Sequence, residues 1–308
     1  MIPLVVIVGP TAVGKSRLAL EIAARFHGEI VSADSRQVYH FMDIGTAKPS
    51  QEEQARVPHH LIDVVDPDEA FTVACYRDLA TRAIADISRR GKLPLLVGGT
   101  GLYVRTMTEG LSIPAAPPDP DFRRIMEARA AEEGADVLHR ELAGIDPPAA
   151  ANIDSRNVRR VIRALEVLHV LGKPISSLGR QEASAYRSLF IGLTLERRAL
   201  YQRIDERVDR MMETGFLEEV RRLAAQGYRW DLPSMSGLGY QQLGEHIRGE
   251  TDLASAVQKT KYRTHRFARQ QYTWFRLNDP HIIWHDVMEG LPSVVEQVDR
   301  DIAAFLRN

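Results

Sequence analysis

One cysteine, Cys75, stands among the 308 residues. A lone thiol excludes an intramolecular disulfide framework and any zinc site built from several thiolates. The ten histidines are scattered. Their one adjacent pair, His59-His60, lacks the roughly three- to five-residue spacing of zinc-finger histidines. No run approaches the roughly 20 apolar residues that span a bilayer, so no membrane partner is expected. Neither sign of charge is in excess: 40 Lys+Arg against 41 Asp+Glu leave a formal charge of −1. That excludes a polycation gripping nucleic acid or lipid through its overall field, and any polyanion has to meet a local patch.

With 44% hydrophobic and 26% charged residues, the chain can bury a sizeable core. Its length suits about two domains at roughly 150 residues each. The apolar start, Met1–Val8, lacks a basic n-region and runs directly into a glycine motif, so it reads as a strand rather than a signal peptide. A reducing, cytoplasmic setting is the expectation. No heptad seam or long apolar face calls for a partner, which predicts a monomer.

Short apolar runs at Pro3–Val8, Glu29–Ala33, Leu93–Val97, Leu189–Leu193 and His281–His285 read as strands. Helical patterns such as Ser16–Phe26 and Tyr76–Arg90 separate the early ones. This alternation predicts an α/β fold with a parallel sheet flanked by helices. About ninety residues separate the third and fourth runs, too many for a plain loop in a compact chain. They open on the proline-rich stretch Ile113–Pro120 and continue in helix-forming sequence. The expected organisation is a P-loop core at 1–112 and 188–308 with a mainly helical subdomain inserted at 113–187.

Gly9-Pro10-Thr11-Ala12-Val13-Gly14-Lys15-Ser16 fits GxxxxGK[ST] and sits between an apolar strand and an amphipathic helix. The glycines allow consecutive backbone N–H groups to point inward at the positive end of the helix dipole. Lys15 adds a cation over the outer phosphates, and the Ser16 hydroxyl can ligate Mg²⁺. The motif predicts a site for a diphosphate or for nucleotide phosphates such as those of ATP. The second strand ends in Ala33-Asp34-Ser35-Arg36-Gln37, which places Asp34 beside that cradle. There its carboxylate can be a general base, an outer partner of Mg²⁺, or simply a helix cap. The third strand ends in Gly98-Gly99-Thr100-Gly101, without the acid that a typical P-loop NTPase carries on a strand. Close backbone approach to a substrate or a tight turn accounts for such glycines.

Two basic stripes remain. Arg156, Arg159, Arg160 and Arg163 fall at i, i+3, i+4 and i+7, while Val158, Val161, Ile162 and Leu165 repeat the spacing on the adjoining, inward face. Four guanidinium groups on one face favour an anion across them, with pairing to acids elsewhere as the alternative. Lys259–Arg276 holds six Lys+Arg and no acid, interleaved with Tyr262, Phe267, Tyr272, Trp274 and Phe275. Such a mixture suits phosphate contact with base stacking, although Trp274 and Phe275 fit better as core.

Together these blocks resemble the bacterial tRNA dimethylallyltransferases, the tRNA isopentenyltransferase or IPP transferase family. The resemblance rests on Gly9–Ser16, Ala33–Tyr39, Met42–Pro49, Pro58–Pro67, Leu95–Tyr103, Arg160–Val167, the Met212, Gly215 and Val220 stretch, Gly239–Leu243 and Arg269–Arg276. It implies transfer of a dimethylallyl group from dimethylallyl diphosphate to N6 of the tRNA adenosine on the 3′ side of the anticodon. It further implies Asp34 as base, with Thr11 donating to the diphosphate oxygen nearest the breaking bond. The implied tRNA contacts, to the anticodon stem-loop, come from Asp34, Ser35, Arg36, Gln37, Thr100, Arg123, Arg159, Arg160, Val161, Ile162, Arg163, Gly239, Tyr240, Gln241 and Gln242. Gln241 and Gln270 stand where the family commonly carries cations. The residues alone also admit a P-loop small-molecule kinase, which leaves the arginine stripe without a task. An NTP-switched RNA-binding protein is the third reading, and it leaves Asp34 unexplained.

Overall fold

The computed structural model describes residues 1–111, 113–178 and 184–307. The chain divides into two compact units, Met1–Thr108 with Ser184–Asn308, and Glu109–Ala183. Residue 112, at one expected boundary, and residues 179–183, near the other, lie outside the described residues.

The first unit begins with β1 (Ile2–Val8), α1 (Lys15–Arg25), β2 (Gly28–Ser32), α2 (Gln51–Arg56), β3 (His59–His60), α3 (Val73–Arg89), β4 (Leu93–Val97) and α4 (Gly101–Thr108). The second unit holds α5 (Pro120–Glu133), α6 (Ala135–Ile145), α7 (Pro147–Asn152), α8 (Val158–Leu171) and α9 (Ile175–Leu178). The chain then returns through β5 (Tyr186–Thr194), α10 (Arg197–Glu213), α11 (Phe216–Ala225), a 3-10 turn at Ser234–Ser236, α12 (Tyr240–Ile247), α13 (Leu253–Trp274), β6 (Ile282–Asp286) and α14 (Leu291–Arg307).

The six strands form one all-parallel sheet in the order β3-β2-β4-β1-β5-β6. β1 lies at the centre, with Val5 opposite Leu95 on one side and Leu189 on the other. Its continuous apolar run reflects burial on both faces, the mark of a strand covered by helices on each side. Val5 and Ile7 pack on one face with Leu18 and Ile22 of α1 and Val298 and Ile302 of α14. Leu4, Val6 and Val8 pack on the other with Tyr76, Ala80, Ile84 and Ile87 of α3. The strand order reverses at β1, so the loop that follows it opens at the switch point where α/β sheets bind ligands.

All five expected strands are present, and α1 and α3 fall where helices were expected. The sixth strand, β3, was not anticipated, because two residues carry no periodicity; His60 there hydrogen-bonds the buried Glu29 carboxylate at 2.7 Å. The aromatic expectation for α13 holds in part. Phe275 is buried, whereas Trp274 is 38% exposed and rests against Gly101, where a Cβ would strike its ring.

The inserted unit has its own apolar core, in which Val161, Ile162 and Leu165 of α8 meet Leu138 and Leu142 of α6. Apolar residues at i, i+1 and i+4 on α8 make the stripe that this packing requires. A third cluster in the first unit joins Val38, Tyr39 and Met42 to Phe216 and Val220 of α11 and Tyr240 and Leu243 of α12.

Candidate functional site

Between β1 and α1 the backbone turns sharply, with φ of 139° at Gly9, 64° at Ala12 and 114° at Gly14. A Cβ at Gly9 would clash with the Leu193 carbonyl of β5, so glycine is required there. Gly14 precedes the first residue of α1 and leaves the amides of the helix start facing open space, the arrangement that receives phosphate oxygens. Lys15 Nζ donates to the carbonyls of Gly9 at 2.9 Å and Pro10 at 2.8 Å, so the lysine folds back over the loop. Burial lowers its pKa to about 7, a shift opposed by the Asp34 carboxylate and reinforced by Arg207. An anion bound beside it would restore its charge.

The ends of β2 and β4 are tied together behind this loop. Thr100 N–H donates to the Ala33 carbonyl at 3.1 Å, and Ser35 N–H donates to Thr100 Oγ1 at 3.1 Å. Gly98 cannot carry a side chain, because a Cβ would collide with Ala33. Asp34 Oδ1 accepts the Arg36 N–H at 2.8 Å, which turns the chain and sets the carboxylate at its place. Gln37 accepts from Ser32 Oγ at 2.9 Å and donates to the Ala47 carbonyl at 3.2 Å, holding the 46–49 segment nearby.

These pieces line one cavity of about 570 Å³. Thr11, Ala12, Gly14, Lys15 and Ser16 form its floor, and Asp34, Gln37, Gly98 and Gly99 line it as well. Arg203, Arg207 and Arg210, which the sequence reading did not single out, line it too, as do Arg17, Glu53 and Gln271, the last of which lies within the Arg269–Arg276 block. The arginines repeat at i, i+4 and i+7 on α10 and so share a face, a spacing readable in the sequence but masked by Asp205, Glu206 and Asp209 between them. Arg207 Nη1 lies 3.5 Å from Thr11 Oγ1, and burial lowers its pKa. Phe267 of α13 also reaches the cavity. Lys48 lines it too, but its ammonium is held by Asp43 and Asp63, each at 2.6 Å.

Other expected site residues lie elsewhere. Arg36 reaches away to the carbonyls of Pro233 and Ser234 and to Ser236 Oγ. Gly239 takes a positive φ of 86° before α12, and its N–H donates to Gln242 Oε1 at 2.9 Å. Tyr240 and Gln242 are buried, as are Val161 and Ile162, so their side chains serve packing. Gln241 accepts from Arg263 at 2.9 Å, which places a cation of α13 at that position. On the inserted unit, Arg123 and Arg163 both clasp the buried Glu166, and Arg156 pairs with Asp154. Arg159 and Arg160 are exposed, and no carboxylate pairs with either among the described residues.

Sequence and structure comparisons bear on this geometry. The family described as IPP transferase matches residues 37–278, and that described as isopentenyl transferase matches residues 2–63. The tRNA dimethylallyltransferase of Roseiflexus sp. (strain RS-1) is 56% identical over 276 residues, covering 90% of each chain. That of Thermomicrobium roseum is 49% identical over 305 residues, 99% of this chain and 92% of the relative. Among solved structures, the tRNA isopentenylpyrophosphate transferase of Bacillus halodurans superposes with a TM-score of 0.75 at 42% identity, covering 100% and 97% of the two chains. A eukaryotic dimethylallyltransferase caught acting on tRNA gives a TM-score of 0.79 at 29% identity over 93% of this chain and 74% of the other.

Proposed function

The chain belongs to the IPP transferase family, and on that premise we propose that it transfers a dimethylallyl group from dimethylallyl diphosphate to N6 of the tRNA adenosine 3′ to the anticodon. The observation that carries this reading is the meeting of a phosphate loop and the Asp34 carboxylate in one cavity beside the acid-free Gly98-Gly99 turn.

The chemistry follows from the charges. The allylic carbon–oxygen bond breaks and diphosphate leaves with growing negative charge, which the loop amides, Lys15, Arg207 and Arg210 stabilise. Thr11, whose hydroxyl also faces Arg207, donates to the oxygen of the breaking bond. The adenine amine is a weak nucleophile because its lone pair is delocalised into the ring. As the new carbon–nitrogen bond forms, Asp34 takes the N6 proton. The base has to leave its stack to reach the cavity, which costs less in an anticodon loop than in a duplex. Arg159 and Arg160 serve tRNA phosphates.

The metal donors at the cavity are hard oxygens, among them the Ser16 hydroxyl and the Asp34 and Glu53 carboxylates, and no cluster of three His, Cys, Asp or Glu forms among the described residues. That sparse oxygen set fits Mg²⁺, which takes its other ligands from water and substrate phosphate. Mg²⁺ held at Ser16 would neutralise charge on the diphosphate.

The test combines Mg²⁺, labelled dimethylallyl diphosphate and an unmodified anticodon stem-loop with adenosine at the target position. Label in the RNA is the expected result. No label, with phosphoryl transfer from ATP to a small acceptor instead, would replace the reading by a kinase. Asp34→Ala should lower turnover by about 10²–10⁴-fold with diphosphate binding kept. Near-normal turnover in that variant removes Asp34 from the role of base.

A further inference from the structure

We propose that Gln271 is a positioning residue for prenyl transfer, one whose side-chain amide fixes the Thr11 end of the phosphate loop against the Gly98-Gly99 turn. The inference rests on the prenyl-transfer reading and adds to it a residue to which the sequence analysis gives no role.

Gln271 lies near the end of α13 and is 4% exposed. Both ends of its amide are engaged. Oε1 accepts the Thr11 N–H at 2.8 Å, and Nε2 donates to the Gly99 carbonyl at 3.0 Å. Thr11 follows β1 and Gly99 follows β4, neighbouring strands whose pairing runs from Val5–Leu95 to Ile7–Val97. One more bond, from Gly98 N–H to the Ile7 carbonyl at 3.2 Å, closes that ladder. Beyond it the two chains part around the cavity, and Gln271 supplies the next rung from a third element.

The amide has one workable orientation, because reversing it would set a donor against the Thr11 N–H and an acceptor against the Gly99 carbonyl. Gly99 is matched to it: a Cβ there would run into Gln271 Nε2. The consequence reaches the chemistry through Thr11. Its N–H is held by Gln271, so its hydroxyl, which faces Arg207, is the group left to meet the substrate. The phosphate oxygens are left to the amides later in the loop and to Lys15. A rotation of Thr11 would move that hydroxyl off the breaking bond, and misplacements near 1 Å cost up to about 10²-fold in rate.

Two variants test this. Gln271→Met keeps the length and removes both hydrogen bonds. Gln271→Glu keeps the acceptor for Thr11 but sets two acceptors face to face at Gly99. Each is assayed for transfer to the anticodon stem-loop, and amide hydrogen exchange is followed by mass spectrometry in the 9–16 peptide and in an α14 peptide. Gln271→Met is expected to lower kcat by about 10–10²-fold. Its KM for tRNA should stay within about twofold. The 9–16 peptide should exchange faster while α14 does not change. Gln271→Glu should protect the loop better than Gln271→Met does. A wild-type kcat in Gln271→Met, or an unchanged rate in the 9–16 peptide, overturns the proposal. If Gln271→Met does not fold, Gln271→Glu decides, because a wild-type kcat there overturns it equally. If the unmodified protein transfers no label, the prenyl-transfer reading fails by itself. Loop exchange with and without inorganic diphosphate then still reports on the Gln271 bridge, and equal exchange in protein and variant rejects it.

Discussion

Glu166 of the inserted unit and Glu219 of the sheet unit are buried alike, at 0% and 1% exposure, yet they are satisfied in opposite ways. Glu166 faces two guanidinium groups, Arg123 at 2.7 Å and Arg163, with the Asp119 N–H at 2.7 Å as a third donor. Burial pushes its pKa up, but hydrogen bonds from Arg123, the Asp119 N–H and Arg163 outweigh that and bring it to about 2. Among the described residues no cation pairs with Glu219. It accepts the consecutive N–H groups of Asp43, Ile44 and Gly45 at 3.0, 2.8 and 3.1 Å, and the Tyr240 hydroxyl at 2.6 Å. Three successive amides around one anion make a nest, so backbone dipoles do for Glu219 what guanidinium groups do for Glu166. The difference teaches where rigidity is placed. Two half-exposed cations suffice to close a helical unit, whereas the segment that lines the cavity is held through its own backbone.

The comparison breaks most readily at Glu219. Glu219→Ala strands three backbone N–H groups and a buried tyrosine hydroxyl, a loss of about 3 kcal/mol or more. Thr46, Ala47 and Lys48 follow that nest and line the cavity, so transfer activity should fall together with the melting temperature. A cost below about 1 kcal/mol would mean that the nest contributes little and that the contrast is false. Glu166→Ala should cost less, about 2 kcal/mol, because the Arg123 and Arg163 side chains are 41% and 31% exposed and regain water. The acid limb separates the two further. The Glu166 carboxyl is held below its ordinary value of 4.5, so its contribution is complete above that pH and is lost as pH falls toward 2. Helicity followed through an acid titration should therefore lose a step between pH 4.5 and 2 in Glu166→Ala. Identical acid limbs for variant and parent would deny the ion cluster its role.

The same contrast explains what could be read in the chain. The phosphate loop, Asp34 and the Gly98-Gly99 turn lie at the ends of apolar strands, so contiguous residues carried both the motif and its context. Arg203, Arg207 and Arg210 did not emerge, because the acids among them read as a solvated helix face until the fold turned that face to the cavity. Gln271 is a neutral amide within a basic stripe, and nothing local marks a side chain whose partners lie 260 and 172 residues away. Glu219 is hidden for the same reason, since three of its partners are backbone groups about 175 residues distant. The arginine stripe on α8 was visible as a count of charges, but its division was not. Arg163 shares a carboxylate with Arg123 from another helix, and only the folded unit brings the two together.

That division gives the smallest predicted change in stability. Arg163→Ala removes a partner of buried Glu166 and should destabilise the inserted unit. Arg159→Ala and Arg160→Ala remove exposed groups with no carboxylate partner among the described residues, and each should shift stability by less than about 0.5 kcal/mol. Their effect belongs to binding. A guanidinium that neutralises one tRNA phosphate releases condensed counterions, so removing it lowers the slope of log affinity against log salt by about 0.7–0.9. The measurement is a salt series of tRNA affinities for the parent, Arg159→Ala, Arg160→Ala and Arg163→Ala, beside their melting temperatures. Reduced slopes at unchanged melting temperature for the first two variants would identify the half of the stripe that faces nucleic acid. Equal slopes throughout would mean that all three arginines of α8 serve the fold or the solvent, and that tRNA is met by cations elsewhere.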